Sequence, residues 1–104
     1  KRHRVKYQEM ECWDPIIKEV DVLYQTRIQK ERFKGIREYN KFKGRYVLTV
    51  LDTKKMKPGS IVMHPLPRVD EIAPEVDQSP KAVYFKQAHY GVMIRMALLQ
   101  LLLK

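Results

Sequence analysis

Ile61-Val62-Met63-His64-Pro65-Leu66-Pro67-Arg68 is the stretch on which the fold reading turns. Three consecutive apolar residues have the length of a short buried strand, and the two prolines that follow end it, since each removes a backbone N–H and fixes φ. An earlier run, Val22-Leu23-Tyr24, has the continuous apolar pattern of a strand covered on both faces. It runs into the charged segment Thr26-Arg27-Ile28-Gln29-Lys30-Glu31-Arg32. Helical signals separate the two runs. Thr49-Val50-Leu51-Asp52 has the spacing of a capping box, with Asp in place of Glu, and predicts a helix to Met56 that Lys57-Pro58-Gly59 stops. Residues 26–43 read as a charge-dense loop with a helical part over 37–42. Short strands alternating with helices predict an α/β fold, a parallel sheet with helices on its faces.

Weaker signals predict three further elements. Residues 5–8 suit a short strand, and Tyr46-Val47-Leu48 another. Asp14-Pro15 has the order of an N-cap followed by proline at the first helical position, opening a short helix through Ile16, Ile17 and Val20. Over residues 92–104 the polar residues are Arg95, Gln100 and Lys104, so a helix there is apolar around most of its circumference and must be buried on several sides. Either self-association or a segment absent from these residues is expected to cover it.

The 104 residues bound the chain to one domain, and 32% charged against 44% hydrophobic residues describe a soluble globular protein. The apolar runs fall far short of the roughly 18 residues of a membrane span, and without a signal-peptide pattern the cytoplasm is the default compartment. Formal charge is +9, unevenly placed: residues 1–58 carry 16 Lys+Arg against 8 Asp+Glu, residues 59–104 carry 5 against 4. Such a basic half suits nucleic acid, a pocket for anionic substrates, or a lysine-rich solvated face. Tyr39, Phe42 and Tyr46, interleaved with Lys41, Lys43 and Arg45, suit base stacking or core contacts. The single Cys12 excludes an internal disulfide and a multi-cysteine metal knuckle. His3, His64 and His89 lack ligand spacing, so no catalytic triad or metal set can be assembled.

Both strand candidates end in segments able to hold a ligand, and in an open parallel sheet ligands bind outside the carboxyl ends of the strands. Arg27 can clamp a carboxylate through two parallel hydrogen bonds, and Gln29 offers a donor and an acceptor. Pro65 and Pro67 flank Leu66 in a stiff turn whose free groups are backbone carbonyls together with the Leu66 N–H. That turn suits a ligand bearing N–H donors, and its X-Pro bonds admit a cis peptide.

Three blocks of sequence together are specific. They are Asp21-Val22-Leu23-Tyr24-Gln25-Thr26-Arg27-Ile28-Gln29-Lys30-Glu31-Arg32-Phe33, then Met63-His64-Pro65-Leu66-Pro67-Arg68-Val69-Asp70-Glu71-Ile72, then Ala82-Val83-Tyr84-Phe85-Lys86-Gln87-Ala88 with Gly91 and Ile94-Arg95-Met96-Ala97-Leu98-Leu99. In this order they closely resemble the aspartate transcarbamoylase catalytic chain family. The related family that uses ornithine carries a cysteine where Pro65 stands. The resemblance implies part of a doubly wound parallel sheet: residues 1–88 as the C-terminal portion of an aspartate-binding domain, residues 89–104 as a helix packing on a carbamoyl-phosphate domain. It implies transfer of the carbamoyl group of carbamoyl phosphate to L-aspartate in pyrimidine biosynthesis, by a cytoplasmic homotrimer, without cofactor or metal, nucleic acid or membrane.

By the same resemblance, Arg27 grips the side-chain carboxylate of aspartate with Gln29 as helper, Glu31 orients Arg27, and Arg32 bridges two domains. The carbonyls of Pro65 and Leu66, in a turn shaped by Pro67 and with the Leu66–Pro67 peptide cis, receive the amide of carbamoyl phosphate. The family's phosphate-binding segment, a second aspartate-binding arginine and a lysine loop from a neighbouring subunit are not among the 104 residues, so no residue here is assigned a catalytic role. The alternatives from other classes are a small basic nucleic-acid-binding module and a non-catalytic oligomerising remnant.

Overall fold

A computed structural model describes residues 5–103. The basic start Lys1-Arg2-His3-Arg4 and the terminal Lys104 lie outside the described residues. Two strands, β1 (Val22–Tyr24) and β2 (Ile61–Met63), pair in parallel with Val22 opposite Ile61, Leu23 opposite Val62 and Tyr24 opposite Met63. Helices α1 (Ile36–Asn40) and α2 (Val50–Lys55) lie between them in sequence. A 3-10 stretch at Pro74–Gln78 and the long helix α3 (Tyr84–Leu102) follow. The architecture is the α/β arrangement with a parallel sheet that the alternation of elements predicts.

β2 is the centre because it is bonded on both edges. Beyond its pairing with β1, the Val62 N–H donates to Lys81 O at 2.7 Å and the Val62 carbonyl accepts from Val83 N at 3.0 Å. Val62 is fully buried among Ile17, Leu48, Met56, Ile72, Val76 and Tyr84. β1 has one bonded edge, and its period of two turns only Leu23 toward this core. Val22 and Tyr24 stay 47% and 51% exposed, so the expectation of a strand covered on both faces is corrected.

The capping box forms. The Thr49 N–H donates to Asp52 Oδ2 at 3.0 Å and the Asp52 N–H to Thr49 Oγ1 at 3.4 Å, opening α2 where the spacing places it. The helix ends as Gly59 turns the chain with φ of +77°, a conformation that side chains with a Cβ resist, and β2 begins two residues later.

Three of the weaker expectations are corrected. Residues 5–8 are exposed and form no strand. Residues 13–19 form consecutive turns rather than a helix, with the Trp13 carbonyl accepting from both Ile16 and Ile17 N–H. The Asp14 carboxylate reaches Lys55 Nζ at 3.3 Å instead of capping, and burial of Ile17 anchors the segment. Tyr46-Val47-Leu48 reduces to one parallel bridge between Leu48 and Ile72, because the cap of α2 follows at once at Thr49. Phe33 packs locally against Tyr39 and Phe42, and Trp13, which also lies against the core, meets Tyr46 with centroids 6.1 Å apart.

Only Tyr84 of α3 is buried. The helix runs unbroken through residues 88 and 89, and Leu98, Leu101 and Leu102 are more than half exposed.

Thr49→Ala removes the two bonds of Thr49 Oγ1, the one accepted from the Asp52 N–H and the one donated to Asp52 Oδ2, and is expected to lower stability by about 1 kcal/mol. Thr49→Ser should restore most of that loss, as read from urea denaturation followed by circular dichroism.

Candidate binding site

Parallel pairing in register makes the segments after Tyr24 and Met63 leave the sheet side by side. The Gln25 N–H donates to Met63 O at 2.9 Å, and the buried Gln25 side chain donates through Nε2 to Tyr46 O, also at 2.9 Å. From α3, Gln87 joins both strand ends: its Oε1 accepts the His64 N–H and its Nε2 donates to Tyr24 Oη, each at 2.9 Å. A largely apolar groove of about 620 Å³ opens between these strand ends and α3, lined by Met63, Pro65, Ile94 and Arg95 among others.

The turn after β2 is held from inside. The Leu66–Pro67 peptide is cis, as the resemblance implies. Leu66 has φ of +49°, the left-handed region, which costs a residue with a Cβ roughly 1–2 kcal/mol. One bond offsetting that cost is donated by the Leu66 N–H to His64 Nδ1 at 2.8 Å. Nδ1 is therefore an acceptor, and the ring proton sits on Nε2, which lies 2.7 Å from Glu71 Oε1. The other Glu71 oxygen accepts the Val69 and Asp70 N–H groups at 3.1 Å each. His64 and Glu71 are buried, so this is a charge-assisted bond between a carboxylate and a neutral imidazole. Burial pushes the Glu71 carboxyl up, but backbone N–H groups and His64 outweigh it and leave the group below its ordinary value.

This geometry corrects the reading of the Leu66 N–H as a free group: it is spent on His64. The carbonyls of Pro65 and Leu66 accept no hydrogen bond among the described residues. The turn thus presents acceptors only. Beyond it, Arg68 Nη2 meets Asp77 Oδ2 at 2.6 Å, and Tyr84 Oη donates to the other Asp77 oxygen. Arg68 holds the Asp77 carboxyl below its ordinary range, while burial and then Asp77 push the Tyr84 phenol up to about 12.

The segment after β1 is open to solvent. Arg27 Nη2 donates to Glu31 Oε1 at 2.7 Å, with the two side chains 42% and 57% exposed. An exposed pair of this kind adds little to stability, so it orients Arg27 more than it stabilises the fold. A backbone N–H, joined by Arg27, lowers the Glu31 carboxyl. Gln29 is half-buried before the 3-10 turn Lys30–Arg32, and Arg32 donates its N–H to the Gln29 carbonyl. The structure therefore starts the 26–32 segment and the 65–67 turn from the same carboxyl end of the sheet. Cys12 and His89 are exposed elsewhere, and no group of three metal-ligating side chains occurs among the described residues. Sequence reasoning missed Glu71, Gln25 and Gln87. The available signal was a polar residue directly beside a core residue, as Glu71 stands before Ile72, which needs a hydrogen-bond partner once buried.

Residues 3–102 match the family model described as aspartate/ornithine carbamoyltransferase, Asp/Orn binding domain. The chain is 55% identical over 106 residues to the aspartate carbamoyltransferase catalytic subunit of Methanothermobacter thermautotrophicus, covering 99% of this chain and 32% of that one. It is 53% identical to the subunit of Cenarchaeum symbiosum, covering 98% and 33%. Among solved structures it is similar to the catalytic subunit of M. jannaschii aspartate transcarbamoylase (TM-score 0.70, 50% identity, 86% of this chain and 28% of that one). It is also similar to aspartate transcarbamoylase from Trypanosoma cruzi in complex with carbamoyl phosphate and aspartate (TM-score 0.74, 41% identity, 83% and 28%). The chain spans about a third of the length of the curated relatives it matches.

Glu71, Asp77 and Asp52 all have lowered carboxyl values, so their contribution to stability is complete above the unfolded value of about 4 and is lost as pH falls through the folded values. The urea midpoint is expected to drop steeply below about pH 4. In Glu71→Gln the acid limb should be shallower and the plateau at neutral pH lower.

Proposed function

We propose, from the premise that this chain belongs to the aspartate/ornithine carbamoyltransferase family through its Asp/Orn binding domain, that it forms the aspartate-binding part of an aspartate carbamoyltransferase. The observation that carries this reading is the acceptor-only turn at Pro65-Leu66-Pro67, which leaves the same carboxyl end of the sheet as the Arg27–Gln29 segment. Two carbonyls without partners match an amide NH2 and not a bare anion, and an exposed guanidinium matches a carboxylate. Aspartate is favoured over ornithine by Pro65 and by relatives named as aspartate carbamoyltransferases.

In this reading Arg27 clamps the side-chain carboxylate of aspartate, Gln29 adds a hydrogen bond, and Glu31 holds the guanidinium in place. Arg32 bridges to a carbamoyl-phosphate domain. The Pro65 and Leu66 carbonyls, in the turn closed by Pro67, orient the carbamoyl group. The aspartate amine then attacks the carbamoyl carbon. The new C–N bond forms as the C–O bond to phosphate breaks, and the amine proton leaves with the phosphate. Positioning and charge stabilisation supply the rate.

Residues 1–88 then form the C-terminal portion of the aspartate-binding domain. Residues 89–104, which include most of α3, pack on the carbamoyl-phosphate domain, and the exposed leucines of α3 support a covering partner. The setting is pyrimidine biosynthesis by a cytoplasmic homotrimer. Among the described residues, no helix is long and apolar enough to cross a membrane.

Arg27→Ala in the intact enzyme is expected to reduce kcat/KM for aspartate at least about tenfold, the equivalent of a lost charge-assisted bond, with carbamoyl phosphate binding little changed. Unchanged aspartate kinetics would remove Arg27 from the site. The 104-residue chain by itself is expected to form no carbamoyl aspartate and to self-associate through α3, as contiguous exposed leucines rarely persist on monomers. A colorimetric ureido assay and sedimentation velocity check the two outcomes, and an active monomer contradicts the reading.

A further inference from the structure

The ligand contacts proposed for Arg27 and for the carbonyls of the turn leave the side chains of His64 and Glu71 without a role in binding, yet both are buried directly beneath the turn. We infer that Glu71 and His64 are positioning residues for carbamoyl phosphate: the carboxylate fixes the imidazole tautomer, and the imidazole fixes the peptide plane that carries the Pro65 carbonyl. This rests on the reading of that turn as the acceptor of the carbamoyl amide.

The chain of constraints runs one way. Glu71 Oε2 is committed to the Val69 and Asp70 N–H groups, leaving Oε1 to accept from His64 Nε2. A proton on Nε2 leaves Nδ1 bare to accept the Leu66 N–H. With that N–H turned inward, the peptide plane between Pro65 and Leu66 is fixed, and the carbonyl at its other end, that of Pro65, is aimed away from the imidazole. Glu71 is itself pinned, since its backbone carbonyl accepts the Leu48 N–H at 2.9 Å. The His64 N–H is likewise held, by Gln87 Oε1. The relay therefore has fixed ends and one consistent proton arrangement.

Glu71→Gln breaks that consistency without changing size. Its amide NH2 must face either two backbone N–H donors or His64 Nε2. The second choice moves the ring proton to Nδ1, against the Leu66 N–H. Either way two donors oppose each other, and the turn is expected to reorient.

The test uses the intact enzyme. In the wild type, long-range proton–nitrogen spectra should show His64 protonated at Nε2 and bare at Nδ1. Carbon-13 labels on the Pro65 and Leu66 carbonyls should shift on adding carbamoyl phosphate. In Glu71→Gln the KM for carbamoyl phosphate is expected to rise about tenfold or more, with the KM for aspartate moving less than about threefold. A stable Glu71→Gln enzyme with an unchanged KM for carbamoyl phosphate overturns the inference.

Should that variant not fold, His64→Asn and His64→Leu carry the comparison. Asn keeps an acceptor near the Nδ1 position and should stay within about threefold of wild type, while Leu should lose about tenfold. Equal values for the two overturn the inference. Failure of the carbonyl labels to respond in the wild type removes the underlying reading of the turn, a result distinct from labels that respond while the variants behave as wild type.

Discussion

The buried bond between His64 and Glu71 is the constraint on which the rest of this structure hangs. A carboxylate removed from water must have its oxygens satisfied, and here three donors do so: the imidazole and two successive backbone N–H groups. Meeting that requirement locks the residues on both sides of Glu71. Val69 and Asp70 are folded over the carboxylate, and Ile72 is delivered to its bridge with Leu48 in the core. Through His64 the same requirement reaches the end of β2 and sets the left-handed Leu66. No buried side-chain nitrogen or oxygen among the described residues is left without a partner.

The two halves of the site differ in how they are held. The acceptor turn is over-determined: His64 and Glu71 fix it from below, the Arg68–Asp77–Tyr84 cluster fixes its exit, and Gln87 ties it to α3. The clamp has only the surface pair of Arg27 with Glu31, which solvent screens. A group that must receive a planar amide in one orientation gains from rigidity, since misplacement of acceptors is costly. A guanidinium that swings onto a carboxylate tolerates freedom, because its fork reforms two bonds in whichever pose the ligand arrives.

α3 runs from the strand ends out to an exposed apolar end. Its first turn is anchored by Tyr84 and Gln87 against the core and the strand ends, while its last turns expose leucine on several sides. Anything that covers those leucines is mechanically joined to Gln87, hence to His64, one residue before the 65–67 turn, and to Tyr24, two residues before the 26–32 segment.

The sequence by itself determined the elements whose cause is local. The strands Val22–Tyr24 and Ile61–Met63 follow from continuous apolar runs, α2 from the Thr49–Asp52 box, its stop from Pro58 and Gly59, and the stiff turn from Pro65 and Pro67. The carbonyl-bearing turn was legible for the same reason, because proline chemistry is written in the residue itself. Where a competing partner existed, local reading failed: Asp14 pairs with Lys55 instead of capping, and Tyr46-Val47-Leu48 yields to the α2 cap at its end. Only the tertiary structure decided that the Leu66 N–H is turned inward and that His64 carries its proton on Nε2. Those facts depend on a carboxylate seven residues away in sequence, and burial converts such a distant polar group into a hydrogen-bond partner that no local pattern encodes.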